Sequence, residues 1–149
     1  MAGKTDVFEQ DILKLVFNAT AIANIADNAA SSPLTNLYLS LHTADPTDTP
    51  ATSQTTNEVT YTGYSRQAVA RTTGGWTVTT TAGVTSASPN ANVAFGSCTS
   101  GTMTATYVGI GTLASGTGKL LYVGALSPSI PIAPGVNPTI TTASTISED

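Results

Sequence analysis

The segment Leu37-Tyr38-Leu39-Ser40-Leu41-His42 has the sequence pattern of a strand. Leucine stands at every second position, which is the pattern of a β-strand with one face turned towards a core. A helix would instead repeat its apolar residues at spacings of three and four. We therefore predict a β-strand at residues 37–42.

Short segments of the same kind recur along the rest of the chain, each bounded by Gly, Ser, Pro or Asn. Such spacing within one domain is typical of a two-sheet sandwich. The predicted fold class is all-β, a jelly-roll-like two-sheet sandwich of about seven to nine strands with an N-terminal α-helix. No exact internal repeat is present, which argues against a solenoid or propeller. The further predicted strands are Gln67–Arg71, Trp76–Thr79, Asn92–Phe95, Thr102–Ile110, Lys119–Ala125, Ile130–Ile132 and Thr139–Ile146.

The N-terminal segment has the pattern of a helix from Asp6 to about Asp27. Asp6 can cap this helix, and Glu9 follows three positions later, as in a capping box. Because its apolar stripe is wide, two alternatives remain: the helix packs on its own sheet, or it is an arm that docks on a neighbouring subunit. We predict a helical arm at residues 1–30 and a sandwich domain at residues 31–149. The stripe consists of Phe8, Ile12, Leu15, Ala19, Ile22 and Ala26, and it is widened by Leu13, Val16 and Phe17.

Charged side chains are almost absent from the second half of the chain. Between Thr72 and Ser147 the only one is Lys119, whereas an average domain carries a charge at about every fourth position. Catalysis depends on titratable groups, so this composition favours a structural module that works by contact over an enzyme. Strands surfaced with Thr also lack the lysines that commonly protect sheet edges, which favours a homo-oligomer, either a dimer or a trimer.

The overall composition argues against several other classes of protein. A net charge of −4 and a pI near 4.6 are unfavourable for nucleic acid, which selects basic surfaces. Cys98 is the only cysteine, so neither an intrachain disulfide nor a cysteine-based zinc site can form. No segment has the roughly 18 apolar residues that span a bilayer, and charges near the N-terminus argue against a signal peptide. We expect synthesis in a reducing cytoplasm, with no nucleic acid, membrane or cofactor as partner.

The glycine-rich run Gly111–Lys119 is the nearest approach to a phosphate-binding loop. Gly111 and Gly116 have the required spacing, but Thr117 stands where that motif needs lysine to reach the phosphates. The run also lacks the helix that should follow it. We therefore predict a hairpin loop between two strands.

A second set of polar residues surrounds the end of the first strand. His42 could enter a catalytic arrangement with Ser40 and Asp45, but no nucleophile-elbow sequence accompanies them. Asp45, Asp48 and Glu58 could offer oxygens to calcium, although EF-hand spacing is absent and turn formation explains the aspartates equally well. We predict no catalytic, cofactor-binding or metal-binding residue in this chain.

The segment Tyr61–Gln67 is the only cluster that combines aromatic side chains with a cation. Two interpretations are open. Tyr64 and Arg66 share one face of an extended chain and could form an exposed contact surface. Alternatively, Arg66 pairs with Glu58 or Asp48 and pins the loop that precedes it.

Two blocks, Leu37–Pro46 and Tyr61–Gln67, together resemble a family of small virion proteins of tailed phages. Residues 107–112 and 118–122 fit the same pattern, and the resemblance covers about residues 36–149. Members of that family are variously labelled tail-fibre-like or capsid-associated. Among these, the chain resembles the jelly-roll cement, or decoration, protein of short-tailed phages, and no catalytic residues come with this resemblance.

The resemblance implies a capsid cement protein on the virion surface, which stabilises the icosahedral shell by bridging subunits of the major capsid protein. Its contact surfaces would be the helix Phe8–Ala26 and the loop Thr43–Gln67. The alternative is a tail-fibre or tail-tip component that recognises glycans on the host surface. Glycan recognition would require exposed aromatic side chains in loops, where only Tyr61 and Tyr64 qualify.

Overall fold

The structure is a computed structural model that describes residues 6–22, 26, 34–47 and 53–148. The chain divides into two compact units. The helical unit contains the described residues of 1–36, 69–92 and 141–149, and the strand unit contains those of 37–68 and 93–140. The predicted division into an arm and a sandwich at residue 30 stays a prediction.

One helix and nine strands form the regular structure of the described residues. The sheets have the strand orders β2-β1-β6-β7, β3-β4-β9 and β5-β8, and neighbours such as β1–β6, β3–β4 and β6–β7 are antiparallel. The predicted fold class, all-β with an N-terminal helix, is confirmed. The elements are α1 (Asp6–Asn18), β1 (Asn36–His42), β2 (Gln67–Ala70), β3 (Trp76–Thr81), β4 (Val84–Pro89), β5 (Val93–Ala94), β6 (Met103–Gly111), β7 (Leu120–Ile132), β8 (Thr139–Ile140) and β9 (Ile146–Glu148).

Three parts of the chain differ from the predicted strands. The two strands expected between Lys119 and Ile132 form one continuous strand, β7, and the segment Thr139–Ile146 contains two short strands, β8 and β9. Strand β4 has no counterpart among the predicted strands. Its buried face is made of Thr85, Ala87 and Pro89, and because none of these is a large aliphatic residue, the sequence shows no apolar alternation there.

The core of the strand unit lies along β1 and β6. In their register Leu39 is opposite Ile110, and Leu41 is opposite Val108. The leucines of β1 are buried as the alternation predicts, but Ser40 and His42 on its other face are buried as well. Both faces of β1 are therefore covered, which the pattern of one apolar face does not indicate. Further buried apolar side chains of this unit are Val59, Tyr61, Phe95, Ile132 and Ile140.

The helical unit is built by α1 packing against β3 and β4. Leu13 and Phe17 on the helix are fully buried, and the ring centroid of Phe17 lies 4.5 Å from that of Trp76 at the start of β3. The side-chain amide of Asn18 donates to the carbonyl of Trp76 over 3.4 Å. The helix therefore packs on a sheet of its own chain, the first of the two alternatives that its wide apolar stripe left open.

The helix ends at Asn18, well before the predicted Asp27, which itself lies outside the described residues. Ala19 adopts a left-handed φ of 54°, which terminates the helical backbone. The guanidinium of Arg71 donates to the carbonyls of Val16 and Leu15 over 2.6 and 2.7 Å. Carbonyls in the last turn have no partner within a helix, and a cation is favourable at that end of the helix dipole. A side chain from a distant loop thus sets the end of α1.

Arg71 is expected to be a stability determinant of the helical unit. The substitution Arg71→Met should lower the free energy of unfolding by about 1–3 kcal/mol, because two helix-end carbonyls lose a charged donor. Urea denaturation followed by fluorescence can measure this, since Trp76 is the only tryptophan and lies beneath the helix. The control is Lys119→Met, which removes an exposed cation and should change stability by less than about 0.5 kcal/mol. Equal stability of the two variants would contradict the prediction.

Candidate functional site

The polar centre of the strand unit is a buried ion pair between Arg66 and Glu58. Arg66 Nε lies 2.7 Å from Glu58 Oε1, and Nη2 lies 2.7 Å from Oε2, so the pair is bidentate. The two side chains are only 3% and 13% exposed. Hydrogen bonding to Glu58 raises the pKa of Arg66 above its usual value. The second interpretation of the Tyr61–Gln67 segment, in which Arg66 pairs with Glu58, is therefore the one observed.

The remaining donors of Arg66 hold the hairpin loop between β6 and β7. Nη1 donates to the carbonyl of Leu113 over 3.1 Å, and Nη2 donates to that of Gly116 over 2.8 Å. The Tyr64 hydroxyl donates to Glu58 Oε1 over 2.8 Å and accepts the backbone N–H of Leu41 over 3.1 Å. One connected network of hydrogen bonds, with Arg66 at its centre, thus joins the loop before β2 to the β6–β7 hairpin.

The aromatic residues of this segment are also internal. Tyr61 is 3% exposed, and its hydroxyl donates to the carbonyls of Phe95 and Gly96 over 3.1 and 3.0 Å. The ring of Tyr64 stacks on that of Phe95 with the centroids 6.1 Å apart, and burial raises the pKa of Tyr64. The expectation of an exposed Tyr–Arg contact surface is wrong, because these side chains fill the interior of the strand unit.

His42 has both ring nitrogens engaged in the same interior. Nδ1 lies 2.8 Å from the carbonyl of Thr56 and must donate to it, so Nε2 accepts from the Ser40 hydroxyl at 2.9 Å. Both side chains are fully buried, and burial lowers the pKa of His42 below 6.5. The Ser40–His42 half of the arrangement considered from the sequence exists, but Asp45 is not its third member, because the carbonyl of Thr56 occupies that position.

Asp45 instead shapes its own turn. Its Oδ1 accepts the backbone N–H and the hydroxyl of Thr47 over 2.9 and 2.7 Å, and these bonds lower the pKa of Asp45. The other two residues considered for calcium are elsewhere: Glu58 binds Arg66, and Asp48 lies outside the described residues. Within the described ranges, no group of three or more His, Cys, Asp or Glu side chains could hold a metal ion.

The described residues also form no helix with the length and hydrophobicity that a membrane span requires.

Gln54 is a structural residue for which sequence reasoning gave no signal. It is fully buried, its Oε1 accepts the backbone N–H of Leu113 over 2.9 Å, and its own backbone N–H donates to Gly118 over 2.9 Å. A Cβ added at Gly111 or Gly118 would overlap with the Gln54 side chain. Gly111 and Gly118 of the run that resembled a phosphate loop thus pack closely against Gln54, and the run is a hairpin loop between β6 and β7, as predicted.

A comparison with known families identifies the chain. A family described as podophage GP4 fiber I protein gp80 matches residues 3–147. The chain belongs to this family. No curated protein matches the chain.

Membership of the fiber I family establishes a virion structural protein of a short-tailed phage. The family is described as a fiber, which favours the tail-fibre alternative, and the prediction of a capsid cement protein on the capsid surface is not supported. The resemblance correctly indicated a protein of phage origin that is part of the virion. The major capsid protein as a partner stays a prediction.

Breaking the ion pair of this fiber I family member should be far more costly than removing it. Arg66→Met should lower the free energy of unfolding by about 3–5 kcal/mol, because Glu58 is left buried without its partner. The double variant Glu58→Met/Arg66→Met should recover a large part of this loss, since no uncompensated charge remains. Chemical denaturation of both variants and of Lys119→Met, as an exposed control, measures the difference. A double variant less stable than Arg66→Met would contradict this account.

His42 should make the stability of this family member depend on pH in a defined direction. Because its folded pKa lies below 6.5, the unfolded state binds the proton first as pH falls. The contribution of His42 to the free energy of unfolding is therefore fully present above about pH 6.5. It decreases below that pH, by at most about 1.4 kcal/mol per pH unit. His42 is the only histidine, so denaturation between pH 7.5 and 5.5 and an NMR titration of its ring report on one group. A titration midpoint at or above 6.5 would contradict the prediction.

Proposed function

We propose that this protein is a structural subunit of the tail fibre of a short-tailed phage and that it acts by contact without catalysis. The observation that carries the proposal is the family match, which extends over residues 3–147. The match is not confined to one short motif, so both units of the described chain support the proposal of a fibre protein. A role on the head shell has no comparable support.

The chemistry of the strand unit supports contact over catalysis. Glu58, Arg66 and His42 are three of the titratable side chains that the sequence singled out, and each is bonded to internal groups. A catalytic residue must reach a substrate with an available proton, lone pair or charge. Side chains whose donors and acceptors already stabilise a buried loop are instead suited to holding a surface in shape.

The solvent-facing side of the helical unit's sheet is neutral and hydroxyl-rich. Thr77, Thr79 and Thr81 are exposed on β3, and the first two are paired with Ser88 and Ser86 of β4. Such a surface can form hydrogen bonds to a neighbouring protein without charge repulsion, which supports assembly with further copies of this chain. Glycan recognition through Tyr61 and Tyr64 receives no support, because Tyr61 is buried and Tyr64 is bonded inside the strand unit.

The fibre assignment can be tested on intact phage. Antibodies raised against the folded protein should label the tail region of virions in negative-stain electron microscopy, and particles from a phage with the gene deleted should show no label. Loss of the gene should reduce attachment to host cells while leaving the heat resistance of the head unchanged. Uniform labelling of the head, with heads that break more easily in the deletion phage, would overturn the proposal in favour of the cement role.

A further inference from the structure

A short segment of the strand unit, residues 53–59, lies along the end of β1, and we call it the strap. The backbone N–H of Thr43, directly after β1, donates to the carbonyl of Asn57 in the strap over 2.8 Å. The ring of His42 donates from Nδ1 to the carbonyl of Thr56 over 2.8 Å. Because His42 is fully buried, the strap shields one nitrogen of this ring.

The strap is bonded directly to the hairpin loop between β6 and β7, residues 112–119. The backbone N–H of Gln54 in the strap donates to the carbonyl of Gly118 over 2.9 Å. In the other direction, the N–H of Leu113 donates to Oε1 of Gln54 over 2.9 Å. The tip of the loop, residues 113–117, is exposed. Any motion of the loop therefore changes the outer surface of the strand unit.

Arg66 belongs to neither segment and is bonded to both. Its Nε and Nη2 bind the carboxylate of Glu58 in the strap at 2.7 Å each. Its Nη1 and Nη2 donate to the carbonyls of Leu113 and Gly116 in the loop over 3.1 and 2.8 Å. The side chain of Arg66 is only 3% exposed. Water therefore cannot easily replace the partners from one segment while the other segment stays in place.

The half-open states decide how the two segments move. If the strap left alone, Arg66 would stay under the loop without Glu58, and a buried charge without its partner is strongly unfavourable. If the loop left alone, two N–H groups of the guanidinium and Oε1 of Gln54 would lose their partners. When both segments leave, water reaches all of these groups together. The half-open states are therefore penalised relative to a joint opening.

We propose that the strap and the hairpin loop open and close as one unit, with Arg66 as the latch between them. Local openings of this kind need less free energy than unfolding of the whole unit. The open state exposes His42 and releases the tip of the hairpin loop from its fixed shape. The inference concerns motion within the strand unit and does not depend on the proposed fibre function.

Two groups report on the two segments separately. His42 is the only histidine, so its rate of modification by diethyl pyrocarbonate, read by mass spectrometry, measures opening of the strap. The N–H of Leu113 is bonded to Gln54, so its hydrogen exchange, read by NMR, measures opening of the loop. Concerted opening predicts that a substitution in one segment changes both rates by the same factor.

Gly116→Ala strains the loop without adding a contact. Gly116 has a left-handed φ of 78°, and a Cβ there would meet nothing within 4 Å. Because this φ is unfavourable for an L-residue, the substitution should raise both rates by about fivefold. The matched control is Gly135→Ala in the same unit, at a φ of 92° and also with nothing within 4 Å. Gly135 lies outside both segments, so its substitution should leave both rates unchanged.

The latch itself is tested in the background Glu58→Met/Arg66→Met. No charge lies between the two segments in this background, so a half-open state leaves no charge without its partner. Adding Gly116→Ala there should still speed the exchange of Leu113. It should no longer raise the modification rate of His42 by the same factor.

Each outcome supports or overturns the proposal. Faster exchange at Leu113 without faster modification of His42, in the chain that keeps Arg66, overturns concerted opening. No change at either group overturns it as well. Equal increases in Gly135→Ala would mean that both rates report unfolding of the whole unit, which also overturns it. Equal increases at both groups in the background without the ion pair overturn the role of Arg66 as the latch.

Discussion

The buried guanidinium of Arg66 is the constraint on which the strand unit depends. A buried cation must have its donors satisfied, because an unpaired charge away from water costs several kcal/mol. Glu58 supplies the opposite charge, and the carbonyls of Leu113 and Gly116 accept two further N–H donors. The loop that leads to Arg66 and the hairpin between β6 and β7 must therefore lie together. The net stability contributed by such a pair is small, since an apolar pair of similar volume could fill the same space.

The parts of the fold that the sequence predicts are those with large apolar side chains at a regular period. The leucines of β1 are one example, and the apolar residues of α1 are another. The helix end escapes prediction because Arg71, more than fifty positions away, determines it. Strand β4 escapes prediction because its buried face consists of small residues. A local sequence pattern shows the periodicity of nearby residues. It does not show which distant side chain binds the end of a helix, as Arg71 does for α1.

The same distinction applies to the site. The pairing of Arg66 with Glu58 is one of two interpretations that the sequence allows, because charge complementarity is visible in a sequence while burial is not. The role of Gln54 is not predictable from the sequence, since one glutamine in a polar loop resembles its neighbours. Only the structure shows that Gly111 and Gly118 pack against it. The blocks that suggest a phage virion protein contain many such interior residues. Interior residues identify a scaffold, whereas the place of a protein in the virion depends on its surface, which these blocks do not describe.

The interleaving of the two units along the chain has a consequence for biosynthesis. The helical unit draws on three separate segments, and its sheet is completed only when β9 pairs with β4. On the ribosome, α1 is exposed with its apolar stripe long before β3 and β4 are synthesised, and β9 is synthesised after all the other described strands. Non-local pairing of this kind slows folding and lengthens the time during which apolar surface is open to aggregation. A nascent chain of this type gains from chaperone protection until translation has passed the final strand.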